Sequence, residues 1–290
     1  MLVELAVGDA YGAGFEYCTP EFVADHNTLA SYVQHPTHLG LSPGDYTDDT
    51  QMTIAITELL LSGKEWSPST LAETFVEVFQ RDQRIGYSKR FRALLHASAT
   101  GADLRAQIVP GSDRSGAAMR TTPVGLLPTV EDVLHRAQVQ ARVTHDSPAG
   151  VESAQAAALA VHYCHHRLGP TSAVATWVDQ QLHARGGQQQ WAQPWEGPVD
   201  ARGVSSVRAA LSALASTESL QDLLRTCIAY TGDVDTVATI AIAAGSCAID
   251  IGQNLPRHLY GDLEDGPYGR SYLAELDQHL FARYPARTAN

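Results

Sequence analysis

Apolar residues recur at helical spacing along much of this chain. Within residues 51–61, Met52, Ala55, Ile56, Leu59 and Leu60 fall on one face of a helical period, and Gly63 supplies a stop. Residues 71–80 repeat the pattern with Leu71, Phe75, Val78 and Phe79. Ser147 followed by Pro148 reads as an N-cap with proline in the first helical position. It opens an Ala-rich helix that runs to about Arg167, before Gly169. Residues 171–184, 205–215 and 219–230 predict further helices, and the weakly polar run 237–251 predicts one buried on most sides. Period-two segments bounded by hairpin turns are few, so no major sheet is expected, and no repeat of fixed period stands out. The expected fold class is all-α, a compact helical bundle. Residues 186–203, with Gly186-Gly187 and two Trp-containing segments, predict one long polar loop. Helical patterning resumes beyond it, so it reads as a loop inside one domain spanning residues 1–290.

Composition narrows the function classes. Apolar residues make up 44% and charged residues 18%, which predicts an ordered globular protein. A net charge of −12 argues against a non-specific nucleic-acid binder and obliges any anionic ligand to find local donors or a metal. The cysteines, Cys18, Cys164, Cys227 and Cys247, form no CxxC pair, a pattern that suits a reducing cytosol better than a disulfide scaffold. The first ten residues carry Glu4 and Asp9 and lack a basic or long apolar region, so no signal peptide is expected. The run from 237 to 249 is too short to span a membrane. A cytoplasmic protein without nucleic-acid or membrane partners is the expectation.

Two acidic clusters change the picture most. Thr47-Asp48-Asp49-Thr50 and Asp233-Val234-Asp235-Thr236 each lie where a glycine-punctuated loop runs into an apolar helical stretch. Each offers carboxylates and hydroxyls, the hard oxygen donors that suit Mg²⁺ or Mn²⁺. Carboxylates that converge do so at a cost unless they share a cation or a proton. Each cluster alone also reads as a helix N-cap, for which Asp and Thr are favoured. Two more segments invite attention. Gly8-Asp9-Ala10-Tyr11-Gly12-Ala13-Gly14-Phe15-Glu16 combines close backbone approach with an emerging carboxylate, and reads equally as tight helix packing through small residues. Residues 111–120, Gly-Ser-Asp-Arg-Ser-Gly-Ala-Ala-Met-Arg, form a small-residue loop entering a helix, with backbone N–H groups for a phosphate, but without P-loop spacing.

The histidines divide. His162, His165 and His166 share a face at helical spacing; without a nearby Cys or carboxylate, a solvated face is expected in preference to a zinc site. His145, just before the Ser147-Pro148 helix start, is placed either to meet a ligand or to hydrogen-bond structurally. Asp233-Val234-Asp235-Thr236-Val237 also fits the pattern of aspartyl-phosphate phosphatases. That chemistry needs a downstream lysine, and none follows Val237.

Taken in order, these segments resemble the ADP-ribosylglycohydrolase family. The resemblance covers the chain from about Gly8 to Pro256. It rests on the Gly8–Glu16 stretch, on Thr47 to Thr50 with Met52, and on Gly116 to Arg120 with Pro123-Val124-Gly125. Thr144 to Pro148 and Thr231 to Thr236 complete it. Each motif alone is weak, and five in order are specific. The resemblance implies an all-α fold with a binuclear Mg²⁺ site, or a Mn²⁺ one, at the floor of an ADP-ribose cleft. It implies Thr47, Asp48, Asp49, Asp233, Asp235 and Thr236 as metal ligands. Glu16 then stands near the scissile bond, with Asp48 and Asp49 also in catalytic positions. Gly111, Ser112, Ser115 and Gly116 cradle the pyrophosphate, and His145 touches the ligand.

The activity implied is removal of ADP-ribose from a modified protein, most naturally from arginine, with free ADP-ribose as product. The alternatives are hydrolysis of serine-linked or small-molecule conjugates, and a non-catalytic ADP-ribose binder. Departures from the pattern are Thr231 for a glycine, Val234 for threonine or serine, and Ser115 where asparagine or cysteine is common. For the adenine platform, Tyr87, Trp191 and Trp195 are candidates.

Overall fold

Helix follows helix through residues 1–287, the residues described in the computed structural model. In order these are α1 (Leu2–Ala13), α2 (Pro20–His26), α3 (Asp48–Ser62), α4 (Pro68–Arg81) and α5 (Lys89–Ala97). Next come α6 (Gly101–Gln107), α7 (Gly116–Met119), α8 (Val130–Arg142), α9 (Pro148–His165) and α10 (Val174–His183). The chain continues through α11 (Gly203–Ser216), α12 (Leu220–Ala229), α13 (Val234–Cys247), α14 (Arg257–Asp262) and α15 (Arg270–Arg283). Among the described residues there is no named strand, only isolated bridges such as Val199 with Gly232. The all-α expectation is met.

Local chemistry sets many of the starts. Ser67 and Ser147 each accept a hydrogen bond from a backbone N–H in the first turn, ahead of Pro68 and Pro148. Thr129 and Ser219 cap α8 and α12 in the same way. Thr47 caps α3, so that helix begins at Asp48, earlier than apolar spacing alone predicts, and both aspartates lie in its first turn. Likewise α13 starts at Val234 and stops at Cys247, where Ala248 turns extended. Residues 171–184 are a short 3₁₀ turn, Thr171–Ala173, followed by α10.

The centre of the molecule is α13, buried from Val234 to Gly245 and flanked by α1, α9, α11 and α12. Its most extensive neighbour is α1. Small residues make that contact possible. A Cβ on Gly12 would lie 2.5 Å from Asp235 Cα, and one on Gly8 would lie 3.0 Å from Ala238 O. The small-residue packing expected of the Gly8–Glu16 segment is therefore present. It is also the device that sets the end of α1 against the start of α13.

One expectation is overturned. His162, His165 and His166 do not form a solvated face: all are buried, His162 at 0% exposure. Each ring bonds a main-chain carbonyl, of Gly125, Tyr284 and Leu127 respectively. His162 stacks near Trp177, and His165 near Phe281. Burial, and then the neighbouring His166, lowers the pKa of His162 and of His165 to about 4, so these rings sit neutral in the core. The 186–203 segment has no helix, as expected, yet it is no purely polar loop. Trp191 is buried and donates its indole N–H to Glu152 at 2.9 Å.

Candidate active site

Both acidic clusters occupy helix starts, as the capping reading expects, and they also meet. Asp48 and Asp49 begin α3; Asp233 is the N-cap residue of α13 and Asp235 lies in its first turn. Glu16 follows α1. Carboxylate oxygens of Glu16, Asp233 and Asp235 lie within 4.8 Å of one another. The Thr236 side chain lies near enough to Asp49 to favour its charged form, which links one cluster to the other. Gly86 closes the wall behind them. Its φ is +106°, and any Cβ there would collide with the Asp48 carboxylate.

The electrostatics are unbalanced. Among the described residues no lysine, arginine or histidine forms an ion pair with Glu16, Asp48, Asp49, Asp233 or Asp235. Desolvation, reinforced by Asp233 and Asp9, pushes the Glu16 pKa up to about 7. Burial and then neighbouring carboxylates raise Asp48, Asp49 and Asp235 well above the ordinary aspartate range. Asp49 Oδ1 and Asp235 Oδ1 are sealed from solvent with no hydrogen-bond partner. Orphaned, buried anionic oxygens at the meeting point of two carboxylate pairs are what a hard dication requires of its site. The residues present fit one.

Sequence reasoning missed Asp9. This fully buried carboxylate accepts from the backbone N–H groups of Thr47 and Thr50 at 3.0 and 2.9 Å, and from their hydroxyls at 2.7 and 2.6 Å. It fixes the entry to α3 from below, and so orients Asp48 and Asp49. An aspartate between Gly8 and Ala10, in the mostly apolar body of α1 beyond Glu4, is the signal that would have found it. Thr47 does not line the cavity. Its hydroxyl gives its hydrogen to Asp9, so the oxygen keeps lone-pair capacity for a cation.

Above the carboxylates opens a cavity of about 810 Å³. Such a volume suits a nucleotide-sized ligand. Gly111, Ser112, Ser115, Gly116 and His145 line one side; Phe91, Leu94 and Ile108 form an apolar stretch of the wall. The loop is held from two directions. Ser147 Oγ donates to Ser112 O at 2.8 Å, and Ser115 N donates to Ala201 O at 3.1 Å. Among the described residues no acceptor takes the Gly116 N–H. His145 packs on Gly116, where a Cβ would come within 3.0 Å of its ring. Burial, then Arg120, lowers the His145 pKa to about 3, so its ring is neutral. Tyr87, Trp191 and Trp195 do not line the cavity. Tyr87 is buried against Gln51, with its hydroxyl 2.6 Å from Gln51 Oε1. Phe91 and Tyr17 are the aromatic rings that do face it.

A sequence profile of the ADP-ribosylglycohydrolases matches residues 1–290. The chain belongs to this family. It is a glycosidic-bond hydrolase of the ADP-ribosylglycohydrolase type. It is 27% identical over 254 residues to the ADP-ribosyl-[dinitrogen reductase] glycohydrolase of Rhodospirillum rubrum, covering 85% of this chain and 84% of that one. It is 32% identical over 174 residues to the ADP-ribosylhydrolase ARH3 of Mus musculus, covering 54% of this chain and 45% of that protein's length. A solved structure described as an ADP-ribosylglycohydrolase-related protein complex superposes with a TM-score of 0.69 at 22% identity, covering 97% of this chain and 95% of its own. That likeness establishes the fold.

Against the ADP-ribosylglycohydrolase pattern, the departure at Thr231 has a visible cost. Thr231 sits at φ +64°, the left-handed region that a β-branched residue occupies only under strain. Gly232 beside it, at φ +89°, presses on the Val199 backbone where no side chain fits. This tight pair turns the chain into α13 and aims Asp233 at Ser206, whose hydroxyl donates to it at 3.0 Å.

Proposed function

We propose that the protein uses Mg²⁺, or Mn²⁺, to remove ADP-ribose from modified side chains of proteins, arginine-linked in preference to serine-linked, releasing free ADP-ribose. The observation that carries this is the pair of sealed, partnerless oxygens on Asp49 and Asp235 at the floor of a nucleotide-sized cavity. Asp48, Asp49, Asp233 and Asp235, with Thr47 and Thr236, would hold one or two ions. Bound there, the metal supplies Lewis acidity toward ribose hydroxyls and the attacking water. The 111–116 loop and His145 bind the pyrophosphate, through backbone N–H groups and the imidazole. The Phe91 wall excludes water from the ligand. Glu16, beside Asp233 and Asp235, holds or moves the proton that glycosidic cleavage requires.

The arginine linkage draws support from the mouth of the site. Tyr17, 55% exposed, lines the cavity next to Glu16, so a cationic guanidinium leaving group meets an aromatic face and a strongly negative floor. Cys18, Cys164, Cys227 and Cys247 are all free thiols, which supports work in a reducing, cytoplasmic setting.

The test is release of ADP-ribose from arginine-linked and serine-linked protein substrates, with Mg²⁺ and with EDTA. Release from the arginine linkage with Mg²⁺ is expected, and EDTA should abolish it. Asp48→Asn and Asp235→Asn should each cost about a thousandfold or more in turnover while far-UV circular dichroism stays helical. Near-normal turnover in both variants sinks the metal assignment. Preference for the serine-linked substrate sinks the linkage.

A further inference from the structure

A buried polar chain of Gln140, Arg120 and Thr144 leads up to His145 in the cavity wall, which Arg120 and Thr144 also line, and the chemistry above uses only the histidine. Arg120, sealed in the core, donates from Nε to Gln140 Oε1 at 2.7 Å and from a terminal nitrogen to Thr144 Oγ1 at 2.8 Å. Its guanidinium lies 4.5 Å from the centre of the Phe75 ring. Gln140 completes its own bonding by donating to Ala117 O in α7 at 2.9 Å. Thr144 Oγ1 lies 2.6 Å from His145 Nδ1.

The direction of each bond follows from what each group can do. A guanidinium only donates, so Thr144 Oγ1 accepts from Arg120. The hydroxyl then has one hydrogen to give. Among the described residues, His145 Nδ1 is the one acceptor within its reach. A hydrogen on Nδ1 would aim two donors at one oxygen and strand the buried hydroxyl hydrogen, a costly arrangement. Nδ1 therefore carries the lone pair and Nε2 the hydrogen. No protein group among the described residues bonds that Nε2. It is not sealed from solvent, in contrast to the orphaned Nε2 of His162. It lies against Gly116, on the loop that lines the cavity.

We propose that Arg120 and Thr144 are positioning residues that lock His145 as a neutral Nε2–H donor, so that the imidazole offers one fixed hydrogen bond to an anionic phosphate oxygen on the 111–116 loop. The wrong tautomer would turn a lone pair toward that anion and repel it. A protonated imidazole would give the donor too, but burial beside Arg120 keeps the ring uncharged near neutral pH. The nature of the ligand rests on the ADP-ribose reading; the tautomer does not.

The test combines ¹⁵N NMR of histidine-labelled protein with calorimetry of ADP-ribose binding. The His145 signal is assigned by its loss in His145→Asn. The expected wild-type spectrum shows a protonated Nε2 and a bare Nδ1, with Nε2 shifting when ADP-ribose is added. Thr144→Val keeps the shape and removes the hydroxyl; it should mix the two tautomers and weaken ADP-ribose binding about tenfold. Thr144→Ser should restore both. A wild-type His145 carrying its hydrogen on Nδ1 overturns the proposal. So does a Thr144→Val protein with an unmixed Nε2–H tautomer and wild-type affinity. Failure of the wild-type protein to bind ADP-ribose overturns the function proposed above, and the relay is then judged by the wild-type and Thr144→Val spectra alone.

Discussion

Glu16 carries the sharpest question at the scale of single residues. It stands inside the carboxylate group, with Asp233 and Asp235, and its pKa is pushed up to about 7 by burial and then by Asp233 and Asp9. A group so placed either moves the proton or shapes the site. Glu16→Gln keeps the volume and removes the ionisable group. If it moves the proton, kcat falls by about 10²–10⁴-fold while calorimetry shows ADP-ribose affinity nearly unchanged. An equal fall in single-turnover rate and in product affinity would assign Glu16 to shaping the site. Asp9 is the contrasting case. Its four bonds to Thr47 and Thr50 leave it no free role, and it acts on the site through the residues that it holds.

Elements explain why the site exists where it does. The α1–α13 crossing depends on Gly12, because a methyl group there would sit 2.5 Å from Asp235 Cα. Gly12→Ala must push the two backbones apart. Overpacking of this kind costs about 1–3 kcal/mol. The same displacement moves Glu16 relative to Asp235. Chemical denaturation and turnover should therefore fall together in this variant, and wild-type behaviour in both would mean that the crossing is not as tight as drawn.

This crossing also shows what the sequence could tell. Helices with one apolar face and a clear cap, such as α4 and α9, are legible because the period and the stop signals agree. The acidic clusters are legible because two carboxylate pairs at helix starts are rare together, and the structure does bring Asp48, Asp49, Asp233 and Asp235 to one cavity. The role of the Gly8–Glu16 stretch is ambiguous in sequence because its glycines suit close backbone approach to a ligand as well as tight helix packing, and only the partner helix decides. The histidine face was misjudged because periodicity reports which residues share a face, not whether another segment covers it; Phe281 and the Tyr284 carbonyl come from the far end of the chain. The aromatic candidates failed for a related reason. Trp191 is claimed by Glu152, a partner that sequence spacing does not reveal.

At the scale of the whole molecule, a metal-free protein carries its carboxylates at a cost. The folded pKa of Glu16, about 7, stands above its ordinary value of 4.5, and Asp48, Asp49 and Asp235 are shifted in the same direction. For a raised acid, the protonated form is favoured by the fold. The stability it contributes is complete below the unfolded pKa and is lost as pH rises through the folded one. The Tm in EDTA should therefore fall as pH rises from about 4.5 to about 7. Saturating Mg²⁺ should flatten that slope and raise Tm at neutral pH, by about 2.7 kcal/mol of stability at a hundredfold excess over Kd. A Tm in EDTA that is flat across this window would mean that the carboxylates do not crowd one another in solution.

The pairing of α1 with α13 has a consequence for how the protein is made. α1 is synthesised well before α13, with most of its length destined for burial. Its principal partner lies far along the chain. Until α13 is synthesised, α1 has no adequate cover, and the first half of the acidic floor has no second half. Contacts so distant in sequence form slowly, because their loops must close before any packing offsets the entropy lost. Synthesis thus passes through a long interval in which α1 is exposed and aggregation-prone. The chelating centre is then a late product of folding, assembled when the last of its carboxylates arrives.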